Sequence, residues 1–264
     1  MSNEAIKNFL DGFSIEVTPR AAAKIDNFAE LIPKGTLIYI AHIEGTPIDE
    51  MIATAKKINE QGFSPMPHFP ARIIKDKNVL QDWISKYQNE ANVKNGLLIA
   101  GGANKPYGEY DSSIQLIESE LFDKADFQNL HIAGHPEGSM DIDPDGSTKN
   151  VDQALSWKNE FSKRTDAKMA ITTQFSFDAD SVITWANNVK ESGIDIPIHI
   201  GIAGPAKLQT LLRYSIECGV GASIKIIQKR AMDLTKLLLP YKPTNIITEL
   251  ATHKANNPSF NIEK

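Results

Sequence analysis

Apolar and polar positions along the chain alternate between the strand period of two and the helix period of 3.6 from end to end. Phe13–Val17 is a short β-prone run, and Pro19 opens a helical stretch, Ala21–Leu31, that Pro33, Lys34 and Gly35 stop. Thr36–Ile43 is nearly continuous in apolar residues and rich in β-branched ones, as expected of a strand buried on both faces. Helical spacing follows over Pro47–Gln61, where Ile48, Met51, Ile52, Ala55 and Ile58 share one face and Gly62 ends it. The alternation continues through strand Ser64–Phe69, helix Asn78–Asn89, strand Gly96–Gly101, helix Ser113–Phe122, strand Leu130–Gly134 and helix Val151–Ser162. Strand Met169–Phe175, helix Ser181–Ser192, strand Pro197–Ala203 and helix Lys207–Glu217 complete it, before a mostly helical tail, Ala231–Ala255.

Strand-then-helix units at about 30-residue spacing predict an α/β protein built on a parallel sheet. No internal repeat or low-complexity linker divides the chain, so residues 1–264 read as a single domain. A doubly wound dinucleotide fold would carry G-x-G-x-x-G after its first strand. Thr18, Pro19, Arg20 and Ala21 stand there instead, which favours a (β/α)8 TIM barrel. Its eighth strand is expected either at Gly221–Ile227 or beyond the last residues, Pro258–Lys264.

Composition narrows the function classes. Twenty-eight Lys+Arg against 33 Asp+Glu give a net charge of −5, with no basic footprint for nucleic acid or an anionic membrane. An apolar content of 41% is that of a globular chain rather than a disordered one. No apolar run approaches the roughly 18–20 residues that span a bilayer, and the first residues lack the pattern of a secretion signal. Cys218 is the single cysteine and reads as a core residue, which excludes an intrachain disulfide. A cytoplasmic protein is expected, without nucleic-acid or membrane partners, and a homo-oligomer is compatible with the composition.

In a barrel the site is built from the C-terminal ends of the strands. Those ends hold Glu16, His42 with Glu44, His68, the Gly101–Asn104 turn, His135 with Glu137, Gln174 and Gly204. Glu16 is the sharpest, because a carboxylate inside an apolar strand needs either a catalytic role or a buried partner. Gln174 offers an amide suited to a heterocycle, and Gly101 with Gly102 permits close backbone approach to a ligand. Asp141, Asp143, Asp145, Gly146 and Asp152 have the spacing of a calcium loop, but Pro144 interrupts it and a strand precedes it. An acidic loop capping the next helix is the expectation. His131 and His135 stand about 13 Å apart along a strand, too far to share an ion, so no metal site is expected.

Several segments, in this order, resemble the methylenetetrahydrofolate reductase family, flavin enzymes on a (β/α)8 barrel. They are Ser14–Pro19, Pro67–Phe69, Gly101–Gly102, Tyr110–Ser113, Gly134–Gly138, Ile171–Asp178, Ser192–Ile194 and Ile200–Pro205. The resemblance implies that Glu16 is the general acid that opens the five-membered ring of methylenetetrahydrofolate, with a pKa raised by an apolar barrel mouth. It implies Gln174 and Asn104 on the folate, and His68, Gly102, Tyr110, Ala133, His135 and Lys158 on FAD. NADH or NADPH is the implied electron donor. The chain departs from the family at Ala103, where an aspartate is usual, at Ser139 in place of a histidine, and in the shortened Val17–Pro19 run. Reverse flow, the oxidation of methyltetrahydrofolate, fits the same residues. A folate-binding barrel in one-carbon or demethylation metabolism, with weak or no flavin chemistry, is the alternative.

Overall fold

A computed structural model describes residues 3–217 and 241–264. Its parallel strands follow one another in the sheet in chain order: β1 (Ile15–Val17), β2 (Leu37–Ile40), β3 (Ser64–Pro70), β4 (Asn95–Ile99), β5 (Asn129–Gly134), β6 (Lys168–Ser176) and β7 (Ile198–Ile202). The main helices are α1 (Asn3–Phe9), α2 (Pro19–Ala22), α3 (Ile48–Glu60), α4 (Lys77–Ala91), α5 (Ser113–Glu118) and α6 (Leu121–Lys124). They continue with α7 (Lys149–Ser162), α8 (Ala179–Glu191), α9 (Leu208–Glu217) and α10 (Thr244–Asn256). The alternation read from the sequence is therefore an α/β fold with a seven-stranded parallel sheet. Among the described residues, no helix is long and apolar enough to cross a membrane.

Local chemistry sets the element ends. Asp76 accepts from the Val79 amide at 3.0 Å to start α4, and Asn92, left-handed at φ 48°, ends it. The helix expected over Ala21–Leu31 shrinks to α2 and a short 3-10 turn, Phe28–Glu30. Side chains from α3 cause this, for Lys57 Nζ donates to the carbonyls of Ala22 at 3.1 Å and Ile25 at 2.5 Å. Gln61 likewise accepts from the Phe28 amide and donates to the Asp26 carbonyl, both at 2.8 Å. Backbone groups satisfied in this way have no need of a continuous helix. The helix expected over Ser113–Phe122 breaks into α5 and α6 at Glu120, whose φ is +59°. The sequence pattern missed α1 altogether.

The chain divides into two compact units, Gly12–Ala133 with Ser162–Ala170, and Met1–Asp11 with Gly134–Phe161 and Ile171–Lys264. In the first, Tyr39 on β2 hydrogen-bonds His131 Nδ1 on β5 at 2.6 Å. Three strand spacings in a flat sheet would hold those strands about 14 Å apart, so the sheet of this unit curls until its inner faces meet. Met66 and Leu97 fill the space with Tyr39. On the outer face Phe69 packs edge-on against Tyr87, Phe122 and Phe127.

In the second unit β6 pairs with β7, and α1 packs against α10. Residues 261–264 run parallel to β7: the Ile198 amide donates to Asn261 O at 3.1 Å, Glu263 to Ile198 O at 2.8 Å and Ile200 to Lys264 O at 2.8 Å. A short strand-like segment thus occupies the place after β7 in chain order, where the sequence reading had put the end of the chain. Gly221–Ile227, Cys218 and residues 231–240 of the expected helical tail lie outside the described residues.

Candidate active site

Glu16 sits at the middle of β1, in register with Tyr39. Its side chain is 57% exposed, and its Oε2 lies 3.2 Å from Nε2 of His68, which is 11% exposed. The two groups touch, but off the hydrogen-bond line. Burial pushes the Glu16 carboxyl up, yet the contact with His68 and its charge outweigh that and hold it below the usual glutamate value. The apolar mouth expected to raise this pKa is replaced by a facing imidazole, so the direction is reversed. His42, buried at the end of β2, donates from Nε2 to the Thr46 carbonyl at 3.0 Å and packs on Trp83 at 5.2 Å. Burial holds its pKa below the ordinary value, so it is neutral at pH 7, with Nε2 carrying the proton because a carbonyl can only accept.

The loop after β4 carries Gly101, Gly102, Asn104 and Tyr110, all singled out in the sequence. Gly101 has φ +93°, and a Cβ there would meet Pro70 Cβ at 2.7 Å, so only glycine fits. A Cβ on Gly102 would face open space, so packing does not explain that glycine. Asn104 is exposed, Tyr110 is buried, and burial pushes the Tyr110 hydroxyl up. The Tyr107 hydroxyl reaches across to Glu44. Ala133, partly buried, lies near the end of β5 in the same unit.

In the other unit, β6 shifts register against β7 between Thr172 and Phe175. The bulge turns Gln174 outward, where its Oε1 accepts from the Phe175 amide at 3.0 Å. Gly201 makes this possible, since a Cβ there would lie 2.6 Å from the Thr173 carbonyl. Lys158 on α7 is 5% exposed, and no carboxylate pairs with it among the described residues. Burial pushes its pKa down to about 8. His135 is pushed down to about 4, by burial first and then by the charge of Lys158. A buried cation with no acid beside it is suited to hold an anion.

The acidic loop serves α7 itself. Asp143 accepts from the amides of Asn150 and Val151, both at 3.0 Å, and from the Asn150 side chain at 2.7 Å. Its carboxylate is engaged in capping, as the second reading of the calcium-like spacing had it. Two participants, Tyr39 and Arg72, escaped the sequence reading. Tyr39 and its bond to His131 gave no local signal, and Arg72, described below, bonds Asp111 across 39 positions.

No family model matches the chain. A stretch of 74 residues is 38% identical to methylenetetrahydrofolate reductase 1 of Schizosaccharomyces pombe. The likeness is partial. It spans 28% of this chain and 11% of the length of that relative.

Proposed function

We propose that this protein is a folate oxidoreductase that interconverts 5,10-methylenetetrahydrofolate and 5-methyltetrahydrofolate by hydride transfer through FAD, with NADH or NADPH as electron donor. The likeness to the fission-yeast reductase is the observation that carries the proposal. The local geometry of each unit supports it. An acid–base pair stands on β1 and β3, and Gln174 is turned outward by the β6 bulge. Residues 261–264 beside β7 fit the eighth position of a single-domain (β/α)8 barrel.

The residues present fit a flavin dinucleotide. In one unit Lys158 is a buried cation with no carboxylate paired to it among the described residues, and in the other Gly102 leaves room where a Cβ would project. Taken by itself, Lys158 in its unit would hold an anionic group such as a phosphate, and in the other unit the loop bearing Gly102 and Tyr110 would receive a ligand. When bound, the flavin supplies a two-electron hydride carrier. The chain's own task is the proton. Opening the five-membered ring breaks the methylene C–N10 bond, whose electron pair goes to N10, and N10 takes a proton. The Glu16–His68 pair would hold that proton and deliver it through the Glu16 carboxyl, and Gln174, in the other unit, carries the amide that the resemblance assigns to the pterin.

The test is the visible spectrum of the purified protein with added FAD, followed by anaerobic titration with 5-methyltetrahydrofolate. Uptake of a flavin that bleaches on adding the folate is the expected result. Protein that stays colourless yet binds the folate supports the second reading, a folate-binding barrel without redox activity. Ala103, standing where the family resemblance places an acid, favours that reading. Protein that takes up neither ligand overturns both.

A further inference from the structure

We propose that Arg72 is a positioning residue that holds the loop after β4, residues 100–111, in its ligand-receiving shape. The identity of the ligand rests on the folate-oxidoreductase proposal above; the clamp itself rests on geometry. Arg72 follows β3 directly, in a single 3-10 turn, and makes five hydrogen bonds to the loop. Its amide donates to Ala100 O at 2.9 Å, and its carbonyl accepts from the Tyr107 amide at 2.7 Å. Its guanidinium donates from Nε to Asp111 Oδ1 at 2.9 Å and Asp111 O at 3.2 Å, and from one terminal nitrogen to Ala103 O at 3.2 Å.

These bonds reach the start, middle and end of a segment that has no helix or strand of its own. A planar guanidinium presents several donors in a fixed fork, so one side chain can tie Ala103 to Asp111; a lysine ammonium is a point charge without that reach. A second fastening lies one turn further on. The Glu109 amide donates to Lys75 O at 2.9 Å, and Gly108 passes so close that a Cβ would stand 1.8 Å from that oxygen.

The side chain of Arg72 is 12% exposed while that of Asp111 is 65% exposed, so the carbonyl contacts outweigh the screened carboxylate. The loop so held carries Gly102, Asn104 and Tyr110. Ordering it beforehand spares ligand binding the entropy of fixing it, which is how a distant clamp raises affinity.

The experiment compares wild type with Arg72→Ala, Arg72→Lys, Asp111→Asn and Gly108→Ala, reading amide hydrogen exchange, FAD affinity and folate kinetics. In Arg72→Ala, exchange at Tyr107 and Glu109 should rise about tenfold or more, with Leu98 in β4 unchanged. The FAD dissociation constant and the folate KM should rise about tenfold, while kcat at saturating ligand stays within about twofold of wild type. Arg72→Lys should fail to rescue, and Asp111→Asn, which keeps both acceptors, should resemble wild type. If Arg72→Ala does not fold, Gly108→Ala lifts the same loop from Lys75 without touching Arg72 and should loosen the same amides. Unchanged exchange at Tyr107 and Glu109 overturns the clamp, and raised exchange with unchanged FAD affinity overturns its role in binding. Wild-type protein that takes up neither FAD nor 5-methyltetrahydrofolate overturns the folate proposal instead, and the exchange data still decide the clamp.

Discussion

In one unit Glu16 and His68 face each other 3.2 Å apart as acid and base. In the other, Lys158 and His135 are two bases with no carboxylate beside Lys158 among the described residues. The first pair is an acid matched to a base, the imidazole holding the carboxyl below its usual value while the glutamate side chain stays 57% exposed. The second is not, because both groups lose affinity for protons mainly through burial. An acid–base pair is equipped to move a proton. A buried cation without an anion is a place suited to receive the negative group of a ligand. Under the proposed function the two regions would divide the chemistry, with proton handling at Glu16 and His68 and anion holding at Lys158.

Glu16→Gln attacks this division hardest. The amide keeps the shape but neither holds nor gives a proton at neutral pH. Folate turnover should fall by about 10²–10⁴, the usual worth of general acid help. Flavin reduction by a nicotinamide donor should persist, because nothing about Lys158 has changed. Stopped-flow measurement of the two half-reactions decides it; folate turnover near the wild-type rate would remove Glu16 from the mechanism.

Lys158→Met attacks the other side, with the opposite sign for stability. Lys158 titrates at about 8 in the folded chain against 10.5 for an ordinary lysine. Between those values the unfolded chain binds the extra proton, so folded stability rises with pH across that window, by about 3 kcal/mol in total. Below pH 8 the whole penalty is present. The ligand-free methionine variant should therefore be more stable than wild type at pH 7 by about 2–3 kcal/mol, and the gap should close towards pH 10. Its affinity for FAD should drop about tenfold or more. His135 adds an acid limb: with a folded pKa of about 4 against 6.5, it withdraws stability as pH falls through that range. Denaturant titrations from pH 5 to 10 read both limbs, and a methionine variant less stable than wild type at pH 7 would mean that Lys158 has an anion of its own.

The adjacent glycines separate folding from binding on a finer scale. Gly101→Ala forces a side chain into φ +93° and against Pro70, and should cost about 1–3 kcal/mol of stability. Gly102→Ala should leave stability within about 0.5 kcal/mol, since its Cβ meets nothing, yet weaken the ligand that approaches there. Equal effects of the two on unfolding would deny Gly102 its separate role.

What the sequence made legible follows the range of the interactions concerned. β2, β3 and β4 are buried runs whose apolar character is local, and α3 shows its core face through Met51, Ile52, Ala55 and Ile58. Gly101 and Gln174 could be singled out from neighbouring residues alone. The breakdown of the helix expected over Ala21–Leu31 depends on Lys57 and Gln61, more than thirty positions away. The reversed pKa of Glu16 depends on His68 in another strand, and the curl depends on Tyr39 finding His131 across 92 positions. No periodicity records such partners. Residues 261–264 escaped for another reason, since Asn261, Glu263 and Lys264 are polar and the run is shorter than most strands.

That last segment sets the smallest test. Glu263 Oε2 hydrogen-bonds His199 Nε2 at 2.9 Å, and the Glu263 side chain is 56% exposed, so the contact is open to solvent. The backbone bonds around Ile198 and Ile200, with Ile262 fully buried beneath them, are better placed to hold the segment. Glu263→Gln keeps an acceptor for the imidazole and removes only the charge. It should change stability by about 0–1 kcal/mol and leave the Ile198 and Glu263 amides protected from exchange. Ile262→Asn, by contrast, buries an amide in an apolar site and should expose both amides. If the glutamine variant alone releases them, the segment is held by charge, and its standing as a strand beside β7 fails.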